Sequence, residues 1–126
     1  MLADYADEEL FDEAQIGMLR DAVGPEDLLA MLSELPPAAA NSLAAIAEAL
    51  AASDVVQARR SAHILKGCAG TFGAARLAAI ACEIELELPA IEAMRQRMPA
   101  LIEALDRTTA ALRRVAGVTS EDGCEP

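Results

Sequence analysis

The chain contains a single histidine, His63, in the run Ser61-Ala62-His63-Ile64-Leu65-Lys66-Gly67-Cys68-Ala69-Gly70-Thr71-Phe72-Gly73-Ala74. One imidazole without a second histidine builds neither a usual metal site nor a histidine-supported triad. It can accept and donate one phosphoryl group through a ring nitrogen. Neutral imidazole is abundant near neutral pH because its unperturbed pKa is about 6.5. The cation Lys66 follows three residues on and Gly67 four residues on, so both lie about one helical turn away. Lys66 can therefore reach a group attached to His63 and offset part of its charge. Glycine inside a helix costs about 1 kcal/mol relative to alanine, so Gly67 is expensive in a chain that uses alanine freely. Its lack of a side chain leaves room beside the imidazole for another protein. The sequence supplies no second general base, magnesium-binding carboxylate cluster or nucleotide loop, so His63 is expected to be a passive nucleophile whose partner brings the catalytic groups. Which ring nitrogen reacts stays open at this level.

These residues need a helix to share a face. Val55, Ala58, Ala62, Leu65, Ala69 and Phe72 recur at spacings of three and four and define a core stripe. At about 100° per residue, His63 points roughly 135° away from that stripe. Gly67 lies nearly opposite the core, Gly70 faces largely outward, and Lys66 and Arg59 flank the same surface. Val56 gives it an apolar edge, and Arg60 adjoins it. Ser53 or Asp54 is the expected cap of this helix, and Gly70 and Gly73 its expected end.

Other segments carry similar stripes. A short helix is expected from about Glu8 to Val23, closed by Gly24. Pro25 opens a second helix with the stripe Leu28, Leu32, Leu35, Ala39, Leu43, Ile46 and Leu50. Pro36 and Pro37 predict a kink or short break in it. After the histidine helix, Ala74 to Leu88 presents Leu77, Ile80, Ala81, Ile84 and Leu88. Its end, Glu83-Ile84-Glu85-Leu86-Glu87-Leu88, also alternates like a strand, but an isolated strand among helices has no partner. Pro89 stops this element. A last helix is expected over 91–116 on Met94, Met98, Leu101, Leu105, Thr108, Leu112 and Val115, with Pro99 starting or kinking it. The expected fold is all-α, an antiparallel up-down-up-down four-helix bundle over 9–116 with an additional short N-terminal helix and mobile tails at 1–8 and 117–126.

Composition narrows the function. In 126 residues, 54% are hydrophobic but only one Tyr, two Phe and no Trp occur, and the net charge is −11. A charge of that sign repels nucleic acid, and aromatic stacking groups are scarce. No segment reads as a secretory signal or membrane span. Cys68, Cys82 and Cys124 form neither a paired framework nor a metal knuckle, which fits reduced thiols in a cytoplasm. Cys68 or Cys82 could sense redox state, but small packing residues are the simpler reading. Residues 1–54 hold twelve acids and one base, residues 83–126 nine acids and five bases, and residues 55–82 hold Arg59, Arg60, Lys66 and Arg76 with no acid. The histidine thus sits in a basic window suited to an acidic partner face or a phosphate. Glu83 and Glu87 read as an exposed, mildly repulsive pair rather than as metal ligands.

Ala62-His63-Ile64-Leu65-Lys66-Gly67, followed by Phe72-Gly73-Ala74, Leu77, Ala81 and Ile84-Glu85, resembles the signature of histidine-containing phosphotransfer (HPt) domains. With the flanking stripes, the likeness spans roughly residues 10–115. It implies a phosphorelay carrier in which His63 is the phosphoacceptor at Nε2, Lys66 the adjacent cation and Gly67 the clearance position. The implied partners are response-regulator receiver domains and a hybrid or sensor histidine kinase, with Mg²⁺ carried by the receiver and no cofactor bound by this chain. Cys68 stands where serine is frequent, and the paired prolines depart from the family pattern. A free-standing, diffusible, monomeric carrier is expected. A self-phosphorylating kinase is disfavoured, since Ile64 rather than an acid follows the histidine and no ATP-binding segment is evident. A helical adaptor that binds receivers without carrying phosphate is the alternative.

Overall fold

The computed structural model describes residues 10–118. Among them there is no strand, and no helix is long and apolar enough to cross a membrane. The elements are α1 (Glu13–Val23), α2 (Pro25–Leu32), α3 (Leu35–Ala51), α4 (Val55–Thr71), α5 (Ala75–Cys82) continued by a π-helical turn (Glu83–Glu87), α6 (Ile91–Ala110) and α7 (Leu112–Ala116).

Helix α3 packs on α4 and α6, α4 on α5 and its π-turn, and α5 on α6, which closes a four-membered ring. The joins between successive members are only a few residues long, so neighbours run antiparallel, as the stripes imply. The stripes form the core: Leu28, Leu32, Leu35, Ile46, Leu65, Leu77, Ile84, Met94 and Leu101 are fully buried. Leu43, Phe72, Leu88, Met98 and Leu105 pack against them while partly exposed.

Several boundaries differ from the sequence expectation. Helix α1 starts at Glu13, because the Asp12 side chain accepts a hydrogen bond from the Gln15 N–H and so caps it there. Leu10 and Phe11, expected to be helical, form a bend before the helix and are buried. The prolines do not kink a continuous helix. A break at Ser33 and Glu34 separates α2 from α3, so Pro36 and Pro37 fall in the first turn of α3, where a missing N–H costs little.

Gly70 lies inside α4, which ends at Thr71; Gly73, with φ +71°, makes the turn that follows. Pro99 lies within α6, and the last helix divides at Ala111 rather than running on to residue 116. Gly117 and Val118 close α7: Gly117 is left-handed, and the Val118 N–H donates to the Arg113 carbonyl. The expected tails at 1–8 and beyond 118 lie outside the described residues.

Helix α1 is bound to the bundle at both ends. The Asp12 N–H donates to the Gly73 carbonyl at 2.8 Å, and Gln15 Nε2 donates to the carbonyls of Gly70 and Thr71, each at 3.1 Å. Arg20 donates to the carbonyls of Val115 at 2.7 Å and Ala116 at 3.3 Å. These bonds satisfy the exposed carbonyl ends of α4 and α7.

Candidate functional site

Helix α4 positions the histidine. Asp54 provides its cap, accepting from the Gln57 N–H at 3.0 Å, while Ser53 before it takes a left-handed turn, φ +57°. Ala58, Ala62, Leu65 and Ala69 are buried, which turns His63 outward with its side chain 65% exposed.

Among the described residues, the ring is held from one side. Its Nδ1 is 2.8 Å from Oε2 of Glu85, and the other carboxylate oxygen, Oε1, is 2.8 Å from Lys66 Nζ. Glu85 is an acceptor, so the geometry calls for a proton on Nδ1, and in the neutral ring that leaves the Nε2 lone pair free. The Lys66 ammonium, followed by the His63 ring, holds the Glu85 carboxyl below its ordinary value against the opposing effect of desolvation. The Glu85 carboxylate in turn raises the Lys66 ammonium above its ordinary value. Glu85 was quoted from sequence within the family signature but given no role in the site. It is the link between two residues that were given one.

Glu85 comes from the π-helical turn. The Leu88 N–H donates to the Glu83 carbonyl five residues back, at 2.9 Å, which is the bond that defines this winding. The segment that alternates like a strand is therefore a widened helical turn, with Ile84 buried and Leu86 exposed. Nor are Glu83 and Glu87 a repulsive pair on one α-helical face. Glu83 is ion-paired with Arg97 of α6, at 2.6 Å to Nε and 3.3 Å to Nη2. Arg97 holds the Glu83 carboxyl low, and the pairing raises the Arg97 guanidinium in turn.

Gly67 and Gly70 lie in α4, and a Cβ at either would meet nothing within 4 Å, so their surface is open. Arg59, Arg60, His63, Glu85 and Leu86 line a shallow depression of about 470 Å³. Val56, Ile64 and Leu86, each more than half exposed, give its surroundings an apolar character. The Arg59 guanidinium turns across to donate to the Leu88 carbonyl at 3.0 Å, whereas Arg60 stays exposed. The face therefore brings together His63, Lys66, Gly67, Gly70, Val56, Arg59 and Arg60, but Arg59 also ties α4 to the π-turn.

Cys68 and Cys82 are free thiols, and burial raises the Cys68 thiol above its ordinary value. Cys124 lies outside the described residues. Among those described, no group of three or more His, Cys, Asp or Glu side chains is placed to hold a metal ion.

Searches of curated proteins and of solved structures give no significant match. The family model of the Hpt domain matches residues 26–117. That stretch covers more than half of the chain and runs from the second residue of α2 through α7, with the histidine face. The chain therefore belongs to the Hpt domain family, whose members are phosphocarriers that serve histidine phosphotransfer in phosphorelays.

Proposed function

We propose that Nε2 of His63 takes a phosphoryl group from an aspartate of a response-regulator receiver domain and returns it to another. The observation that carries this reading is the one-sided grip on the ring. Glu85 occupies Nδ1, while the rest of an imidazole 65% exposed faces an open surface.

The chemistry balances without a base in this chain. The Nε2 lone pair attacks the phosphorus of the aspartyl phosphate. An N–P bond forms as the P–O bond to the aspartyl oxygen breaks, and the aspartate leaves as a carboxylate. The ring keeps its Nδ1 proton and becomes a phosphorylated imidazolium, whose positive charge faces the Glu85 carboxylate. Glu85 thus favours the reactive tautomer and stabilises the charge that develops, as a carboxylate does behind a catalytic histidine. Lys66 can exchange Glu85 for an oxygen of the arriving phosphoryl group. Mg²⁺ and the remaining catalytic groups come with the receiver. Val56, Ile64 and Leu86 supply apolar contact, Arg60 and Arg59 attract the acidic receiver surface, and Gly67 and Gly70 let it approach. The upstream phosphoryl donor is a hybrid or sensor histidine kinase, and the carrier works as a cytoplasmic monomer.

The test uses a receiver charged with radiolabelled phosphate. Label should pass to the native chain and not to His63→Gln, whose fold is expected to survive because the side chain is exposed. Binding without transfer would replace this reading with that of an adaptor. Self-labelling from ATP would make the chain a kinase.

A further inference from the structure

We propose that Arg97, on α6 rather than on the helix of the imidazole, is a positioning residue for His63 and acts through the π-helical turn. That turn is pinned at both ends. At its start, the Arg97 guanidinium grips the Glu83 carboxylate through Nε and Nη2. At its end, Arg59 Nη2 holds the Leu88 carbonyl. Between the pins, Ile84 is anchored in the core, and Glu85 reaches His63 and Lys66 with one oxygen each.

Isolated π-turns are rare because the backbone gains more from α-helical winding, and they occur as single widened turns frequently found at functional sites. α and π winding differ in the angle each residue sweeps about the axis. Relaxation of residues 83–87 toward α would change the direction of Glu85 relative to α4. Two contacts of 2.8 Å from one carboxylate, 16% exposed, do not survive such a rotation together. Arg97 opposes that relaxation by fixing Glu83 from α6, which is itself held in the bundle by Met94 and Leu101. The arrangement extends the imidazole's support to a third helix. Its functional meaning rests on His63 being the phosphoacceptor, but its direct readout does not.

That readout is the tautomer of the unphosphorylated His63 ring, measured from its ¹⁵N chemical shifts at a pH where the ring is neutral. The native chain should be mainly the Nδ1–H tautomer. Arg97→Gln and Glu83→Gln should each lower the ratio of Nδ1–H to Nε2–H about fivefold, the worth of one ordinary hydrogen bond. Arg97→Lys, which keeps a cation opposite Glu83, should restore much of the ratio. Arg95→Gln is the control: Arg95 lies on the same helix but serves the Leu50 carbonyl, Ser53 and Glu92. It should cost stability and leave the tautomer alone. An unchanged ratio in a folded Arg97→Gln or Glu83→Gln protein overturns the proposal, as does an equal shift in Arg95→Gln. Should Arg97→Gln not fold, Glu83→Gln and Arg97→Lys decide alone. A tautomer that responds as expected in a chain that accepts no phosphate would leave this inference standing and sink the proposed function.

Discussion

Glu85 gives one carboxylate oxygen to each of two neighbours, and this division sets the behaviour of the site. Replacing it with glutamine keeps an acceptor for Nδ1 but removes the charge opposite a developing imidazolium. Transfer in Glu85→Gln is expected to slow roughly tenfold with binding of the receiver little changed, in single-turnover labelling against receiver concentration. The carboxyls of Glu83 and Glu85 both lie below their ordinary value of 4.5. Their contribution to stability is therefore fully present above the unfolded value and is lost as the pH falls through the lowered folded values. Denaturation followed from neutral pH into that acid range should show stability falling, and Glu83→Gln and Glu85→Gln should each flatten the fall. The histidine, the lysine and the glycine were legible in sequence because their spacing within one helix fixes their relation. Glu85 lies 22 residues beyond His63. Its reach depends on how the intervening chain folds back, which no local spacing encodes.

The histidine helix carries two glycines whose missing side chains serve nothing inside the fold, since a Cβ at 67 or 70 would meet no neighbour. Gly67→Ala should therefore stabilise the chain by about 0.5–1 kcal/mol in urea denaturation, the helix-propensity difference between the two residues. Gly67→Trp should fold equally well yet weaken receiver binding and slow transfer at least tenfold, because the indole would occupy the approach to the ring. The helical stripes were legible, and the cap of the histidine helix was legible to within Ser53 or Asp54, because a 3.6-residue period and a capping residue are local properties. The alternating run at 83–88 was not, because its apolar positions fit a strand and a helix equally, and the π winding is imposed by partners on α4 and α6. The division before Leu35 was half legible. The prolines announced an interruption, but their tolerance in a first helical turn moved it two residues upstream.

The bundle is completed by a segment that lies outside the matched family range. Helix α1 spends Gln15 on the end of the histidine helix and Arg20 on the end of α7. Bonds from a partly buried guanidinium to two carbonyls are strong ones. Arg20→Met should cost about 2 kcal/mol of unfolding free energy by denaturant titration while leaving transfer at a permissive temperature unchanged. This brace could not be read from the amphipathic pattern, which gave α1 a helix but no address. The same described residues that brace the helices so thoroughly build no wall around the outer half of the imidazole. On the proposed reading, a phosphoryl group seated there stands in open water, sheltered by none of the described residues. How long the cargo lasts between encounters then follows from the intrinsic hydrolysis of a phosphoramidate and from how soon the next receiver arrives. Throughput then becomes a matter of cellular abundance.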